Sequence, residues 1–189
     1  MAELDAITLR RAQRGDRDAR AAFIRAHQDA VYALLSRMLG RRSARVDDAA
    51  QECFLKALVA LPRFDPGGRA KLSTWVLTIA TRLAIDELRR DRRVAPLNDD
   101  AEDLLPALDG EALALARQEW ARVEVVLAEL KPEERAILVL RAHHDLDYPE
   151  IAEVLDLTIG TVKSRLSRAR AALQVALQDS GRSHDRARS

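Results

Sequence analysis

The chain has 189 residues, with 31 Lys and Arg against 30 Asp and Glu for a formal net charge of +1. That leaves room for one sizeable domain or two small ones, and any affinity for nucleic acid has to come from local basic patches, not a global field. Its one cysteine, Cys53, excludes an internal disulfide and a cysteine-rich zinc site. The charged N-terminal stretch MAELDAITLRRAQRGD lacks the apolar centre of a signal peptide, and no stretch approaches the roughly 18 apolar residues of a membrane span. A soluble, cytoplasmic protein with no membrane insertion is expected.

Gly and Pro are few and no alternating β-branched run occurs, which predicts an all-α fold. Leu4 to Gln13 reads as a short helix ended by Gly15, and Asp18 to Leu39 as a longer one ended by Gly40. A third runs from Val46 to Leu61, where Pro62 stops it. It opens on Asp47 and Asp48, with Glu52 a turn later, and acid at a helix start complements the macrodipole. The functional alternative is an acidic docking edge for a basic partner. Cys53, beside Phe54 and Leu55 in a helical apolar pattern, reads as a buried, inert thiol.

The segment RFDPGGRAK, Arg63 to Lys71, demands a loop through Pro66, Gly67 and Gly68. A fourth helix follows from about Ser73 to Asp91. Val76, Leu77, Ala80, Ala84 and Leu88 form one buried stripe, while Trp75, Ile79, Arg82, Arg89 and Arg90 gather on another side. An aromatic followed by arginines a few turns on suits holding a nucleic-acid backbone while stacking on an unpaired base. A core tryptophan with a solvated basic end accounts for the same spacing.

Residues 94–111 carry Asp99, Asp100, Glu102, Asp103, Asp109 and Glu111, two prolines and no basic residue. This composition marks a flexible acidic linker between two small helical domains. Helices resume at about Ala112 to Glu129 and Pro132 to His143. Pro132 suits a first helical turn, and Glu133 and Glu134 behind it favour the helix dipole. His143 and His144 are adjacent, hence about 100 degrees apart on a helix, and no nearby cysteine helps them to hold a metal. A surface or helix-terminal role is expected for the pair.

From Asp147 to Leu173 the sequence DYPEIAEVLDLTIGTVKSRLSRARAAL reads as a helix-turn-helix. Ile151, Ala152, Val154 and Leu155 line one side of the first helix, residues 156–158 break the run, and Thr158 suits the next N-cap. In the second helix Val162, Leu166, Ala169 and Leu173 make the inward stripe. Thr161, Lys163, Ser164, Arg165, Ser167 and Arg168 supply donors of the kind that reach base edges and phosphates. No acidic residue occurs between Ile159 and Leu177, so the positive field of this helix is unopposed from within it. The polar residues from about 178 onward are expected to fray.

Three blocks, VDDAAQECFLKAL, LSTWVLTIATRLAIDELRR and LDYPEIAEVLDLTIGTVKSRLSRARAAL, in this order and with an acidic linker between the last two, carry a family resemblance. The chain resembles the extracytoplasmic function sigma factors, small two-domain members of the sigma-70 family of bacterial RNA polymerase sigma factors, over nearly its whole length. The resemblance implies a sigma domain 2 over residues 1–93, an acidic linker over 94–111, a sigma domain 4 over 112–178 and a polar tail over 179–189. It implies that Asp47, Asp48 and Glu52 dock on the clamp helices of the polymerase core. Trp75, Ile79, Arg82, Arg89 and Arg90 would recognise and help melt the minus-ten promoter element. Thr161, Lys163, Ser164, Arg165, Ser167 and Arg168 would read the minus-thirty-five element, and the linker would thread toward the RNA exit path. Partners would be core RNA polymerase, promoter DNA and, as in relatives, an inhibitory anti-sigma factor.

The chain departs from many such proteins in carrying Arg82 where they have Asn, so their minus-ten preference does not transfer, and in its Gly-rich loop. No catalytic residue, cofactor or metal is required. The alternative function is an autonomous helix-turn-helix transcriptional regulator, which would read palindromes as a dimer; two nucleic-acid surfaces on one chain favour the sigma reading. A helical adaptor without DNA function would leave the basic face from Lys163 to Arg170 unexplained.

Overall fold

A computed structural model describes residues 4–40, 44–68, 70–94 and 127–186. Among them only helices and connecting turns occur: α1 (Ala6–Gln13), α2 (Arg17–Leu39), α3 (Ala44–Ala60), a 3-10 turn (Leu61–Arg63), α4 (Leu72–Val94), α5 (Pro132–His143), α6 (Tyr148–Leu155) and α7 (Ile159–Arg186). The expected all-α fold is therefore observed. The acidic stretch 95–111, and the expected helix Ala112–Glu129 as far as residue 126, lie outside the described residues. None of the described helices is long and apolar enough to cross a membrane.

Local signals fix the helix ends. The Asp5 carboxylate accepts hydrogen bonds from the backbone N–H groups of Ile7 at 3.0 Å and Thr8 at 2.9 Å, and Asp16 accepts from Ala19 N–H at 2.9 Å. These bonds satisfy donors that a helix start leaves unpaired. Gly15 and Gly40, both with φ above +90°, end α1 and α2 in a conformation that side chains disfavour. Aspartates do the same work further on: α5 and α6 close through Asp145 and Asp156 at φ +57° and +54°. Leu146 N–H then returns to Leu140 C=O at 3.2 Å, and Leu157 N–H to Ala152 C=O at 2.9 Å. Asp can occupy this region because its short polar side chain relieves part of the cost.

Helices α1 to α4 enclose a first core of Phe23, Leu34, Leu35, Met38, Leu61 and Leu77, all fully buried. Helices α5 to α7 enclose a second, around Ile137, Leu140, Ile151, Val162 and Leu166. Each such aliphatic side chain contributes roughly 1.5–3 kcal/mol on leaving water. The halves are packed on each other, with α4 against both α5 and α6 and α2 against α5. Burial on α4 accordingly extends beyond the expected stripe to Thr74, Thr81 and Ile85. One expectation is corrected: α7 does not end near residue 178 but stays helical to Arg186, across a stretch without proline.

Candidate nucleic-acid interface

The turn between α6 and α7 is built from both sides. Asp147 caps α6 by accepting from Glu150 N–H at 2.8 Å, while the Glu150 carboxylate accepts from Asp147 N–H at 2.9 Å. This reciprocal capping box fixes the first helix. Thr158 then caps α7, its hydroxyl accepting from Thr161 N–H at 3.2 Å. From that start Val162, Leu166 and Ala169 point into the core and Leu173 is half-buried against it. At about 100 degrees per residue, the opposite arc is the one expected from the sequence. Lys163, Ser164, Ser167 and Arg168 are exposed on it, and Thr161 and Arg165 are half-buried.

Several of these groups already have partners. The Ser164 hydroxyl donates to Thr161 C=O at 3.0 Å, the Thr161 and Thr158 hydroxyls lie 2.9 Å apart, and the Lys163 ammonium sits 5.9 Å from the centre of the Tyr148 ring. Arg168 lies 4.0 Å from a Glu134 carboxylate oxygen.

On α4, Trp75, Ile79, Arg82, Arg89 and Arg90 fall within about 100 degrees of arc, so the helix brings them to one face. Arg82, Arg89 and Arg90 are exposed. Trp75 and Ile79 are half-buried and pack against the core, so the two readings of Trp75 are compatible. Its ring meets Phe64 with centroids 5.1 Å apart. What holds Phe64 there comes from a distant segment that local patterns do not reveal. The Gln13 side-chain amide, on α1, donates to Leu61 C=O at 3.1 Å and to Phe64 C=O at 2.7 Å, clamping the start of the loop. Within the loop the Asp65 carboxylate accepts from Gly67 N–H at 2.9 Å. A Cβ on Gly68 would come within 3.1 Å of Asp65 C=O, so a larger residue there would have to shift the turn by a few tenths of an ångström.

Arg89 is not free. Its guanidinium binds Glu133 at the start of α5, at 2.6 Å. Burial pushes the Glu133 carboxyl up, but a backbone hydrogen bond and the neighbouring Arg89 and Arg165 outweigh it and hold the group below the usual carboxylate range. Lys71, just before α4, pairs with Glu150 at 3.2 Å.

On α3, Asp47, Asp48 and Glu52 are all exposed. Two of them already have partners: burial first, then the Asp47 charge and a hydrogen bond to Asp47, raise the Tyr32 phenol above its usual pKa, and Glu52 pairs with Lys56 at 2.7 Å. Two further residues of that face were missed: Leu55, read as part of a core pattern, is 60% exposed, and Val59 is 81% exposed. Cys53 is fully buried and its thiol is pushed up to about 12, chiefly by burial, which removes the reactive thiolate. His143 and His144 stand at the C-terminal end of α5, as expected, with His144 as its half-buried C-cap; burial first, then the charges of His143 and Arg37, push His144 down to about 4. Among the described residues no three His, Cys, Asp or Glu side chains are grouped to hold a metal ion.

Comparison with known proteins places these faces in context. Residues 23–94 match the family model described as Sigma-70 region 2, and residues 120–173 that described as Sigma-70, region 4. The ECF RNA polymerase sigma factor SigW of Bacillus subtilis is 31% identical over 90% of this chain and 95% of its own. The ECF RNA polymerase sigma-E factor of Escherichia coli K12 is 32% identical over 92% of this chain and 94% of its own. Among solved structures, CnrH in complex with the cytosolic domain of CnrY is similar at a TM-score of 0.66 and 28% identity, covering 92% of this chain and 96% of that one. RpoE of Bartonella quintana, co-crystallised with the anti-sigma factor NepR, shares the fold at a TM-score of 0.67 and 22% identity, over 84% of this chain and 96% of that one.

Proposed function

This chain belongs to the ECF sigma factors of the sigma-70 family, and we propose that it divides the work of that family between the faces described above. As a sigma factor it binds core RNA polymerase and directs promoter-specific transcription initiation. In our reading residues 1–93 dock on core and open the minus-ten element, the acidic 94–111 stretch links the halves, and residues 112–178 read the minus-thirty-five element. The observation that carries this is the presence of two separate cationic helix faces on one chain, one of them with a half-exposed tryptophan beside a clamped loop.

On the minus-ten side, a base leaving the duplex costs a few kcal/mol, which stacking and backbone contacts offset. Trp75, held by Phe64, supplies the stacking platform; Arg82, Arg89 and Arg90 supply phosphate contacts; and Ile79 supplies an apolar flank. On the minus-thirty-five side, Arg165 and Arg168 extend forked donors into the major groove, Lys163 binds phosphate, and the Thr161, Ser164 and Ser167 hydroxyls adjust register. Asp47, Asp48 and Glu52 face a basic surface of core. The protein acts as a specificity subunit rather than an enzyme, in the cytoplasm, where polymerase and promoter are. An anti-sigma factor is a fitting inhibitor, since similar sigma folds are found bound to such proteins.

The direct test adds purified protein to core polymerase and a promoter library and scores new start sites; unaltered start sites end this reading. Arg168→Ala is expected to lower use of particular minus-thirty-five sequences about tenfold, or about 1.4 kcal/mol, within the range of one good base contact. Equal loss on every sequence would make Arg168 a phosphate contact instead. Gln13→Leu takes the amide donor from the Phe64 C=O, while the Leu61 C=O keeps the Phe64 N–H at 3.1 Å, and frees the loop beneath Trp75, at a cost of about 1 kcal/mol in stability. At saturating polymerase it is expected to reduce minus-ten opening several-fold, read as permanganate reactivity of promoter thymines, while minus-thirty-five affinity stays unchanged. Wild-type opening would release Gln13 from this positioning role.

A further inference from the structure

Helix α1 buries Leu9 and Ala12 and turns its other side outward. That side has Ile7 at its centre, 74% exposed. Arg11 and Arg14 follow Ile7 at the four-three spacing of one helix face, and Arg10 flanks them. All three arginines are exposed, as is Arg63 in the 3-10 turn that packs against α1. Arg11 is held by Asp16 at 2.9 Å, whereas Arg10, Arg14 and Arg63 have no carboxylate partner among the described residues. Cations near a helix C-terminus complement its dipole, which accounts for Arg10, Arg11 and Arg14. It accounts neither for an isoleucine in water among them nor for a fourth arginine brought in from another segment.

This patch adjoins the face assigned to the minus-ten element. Gln13, next to Arg14, donates to the carbonyls of Leu61 and Phe64 at 3.1 Å and 2.7 Å, and Arg63 lies between those two residues in the chain. The Phe64 ring in turn meets Trp75, with centroids 5.1 Å apart. The cationic surface therefore runs from Arg89 and Arg90 at one end of α4, past Arg82 to Trp75, and on through Arg63 to α1. A strand held by the α4 arginines and unpaired at Trp75 next meets Arg63, Arg14 and Arg10.

We propose that the outward face of α1, together with Arg63, is a further single-strand site of this chain. Arg10, Arg14 and Arg63 bind phosphates of the strand that carries the base stacked on Trp75, on the start-site side of that base, and Ile7 lies against an unpaired base. The proposal rests on the assignment of Trp75 to the minus-ten element made above. Duplex DNA would offer this patch phosphates alone and leave Ile7 in water, whereas an opened strand offers base faces as well. A site that binds the opened strand and not the duplex shifts the promoter toward its open form.

The test uses the full chain with core polymerase and two fork templates that share the same duplex and minus-ten element. In one the unpaired strand stops just past that element; in the other it continues for about eight nucleotides toward the start site, within the span of one single-strand site. Core also holds the longer strand, so the quantity read is the ratio of the two affinities. Arg10→Gln/Arg14→Gln/Arg63→Gln is expected to shrink that ratio at least fivefold with the short template bound as by wild type. Its salt slope should fall by about 2, at roughly 0.7 for each single-strand phosphate contact. Arg10→Lys/Arg14→Lys/Arg63→Lys should keep the ratio, because a phosphate needs the charge and not the fork. Ile7→Ser should lower the ratio without changing the salt slope. A wild-type ratio in the glutamine variant overturns the proposal, and so does an equal loss on both templates, which would place these arginines against core. Failure of the wild-type protein to load core onto either template would count against the sigma factor reading, which an unchanged ratio leaves standing.

Discussion

Replacing Leu55 and Val59 together by glutamate is expected to weaken binding of the protein to core RNA polymerase at least a hundredfold while leaving its helix content unchanged. Both side chains lie on α3, one turn apart, at 60% and 81% exposure. They continue the strip that starts with Asp48 and Glu52, because positions 48, 52, 55 and 59 follow the four-three-four spacing of a single helix face. The opposite face, with Val46, Ala50, Cys53 and Ala57, is fixed in the core, so α3 cannot turn to hide them. An acidic strip with an apolar end fits a basic, partly apolar surface on the partner. Burying two aliphatic side chains contributes roughly 1.5–3 kcal/mol each, and a hundredfold change in affinity is about 2.7 kcal/mol. The double glutamate forfeits that burial and adds two charges to desolvate, so a hundredfold is the low end. Asp48→Lys and Glu52→Lys should act differently, slowing association and changing its salt dependence. Asp47, engaged with Tyr32, and Glu52, paired with Lys56 at 2.7 Å, should each matter less than Asp48. Wild-type affinity of the Leu55→Glu/Val59→Glu protein would remove α3 from the docking surface.

That strip also shows where the sequence stops being informative. Caps and periodicity are local, and so the Thr158 cap and the Val162–Leu166–Ala169 stripe were legible residue by residue. Leu55 was misread because it adjoins Cys53 and Phe54, and a run of apolar residues does not say which of them turns outward. Contacts between distant segments left no trace. Gln13 reaches Phe64 across 51 residues, and Arg89 reaches Glu133 across 44. Glu133 was read as a helix-start acid, which it is; that reading exhausted the local chemistry and concealed its ion pair with Arg89. The two cationic faces could be anticipated because each is written on one helix. The contacts between the halves could not, because they depend on how two helical units dock.

His144 gives this docking a pH dependence that can be measured. It ends α5 near Arg37 of α2, with its Nε2 buried and unpartnered, and its pKa is pushed from about 6.5 down to about 4, first by burial and then by the charges of His143 and Arg37. His143 is shifted the same way, by burial and Arg37. A depressed folded-state value means that the unfolded chain takes up a proton before the folded one does. The stability contributed by neutral His144 is therefore fully present above about pH 6.5 and is lost as pH falls toward 4. With those two values, the loss between pH 8 and pH 5 is up to about 2 kcal/mol, trimmed by whatever solvent reaches the ring. Glu133, held below the usual carboxylate range, keeps its charge through most of that window and so does not mimic the effect. Urea midpoints measured from pH 8 to pH 5 should fall steadily for wild type. His144→Leu removes both the titration and an orphaned polar atom, and should flatten the profile to the smaller slope left by His143, with no loss at pH 8. Superimposable profiles for the two proteins would mean that the imidazole is solvated in solution, and that α5 does not rest against α2 as described.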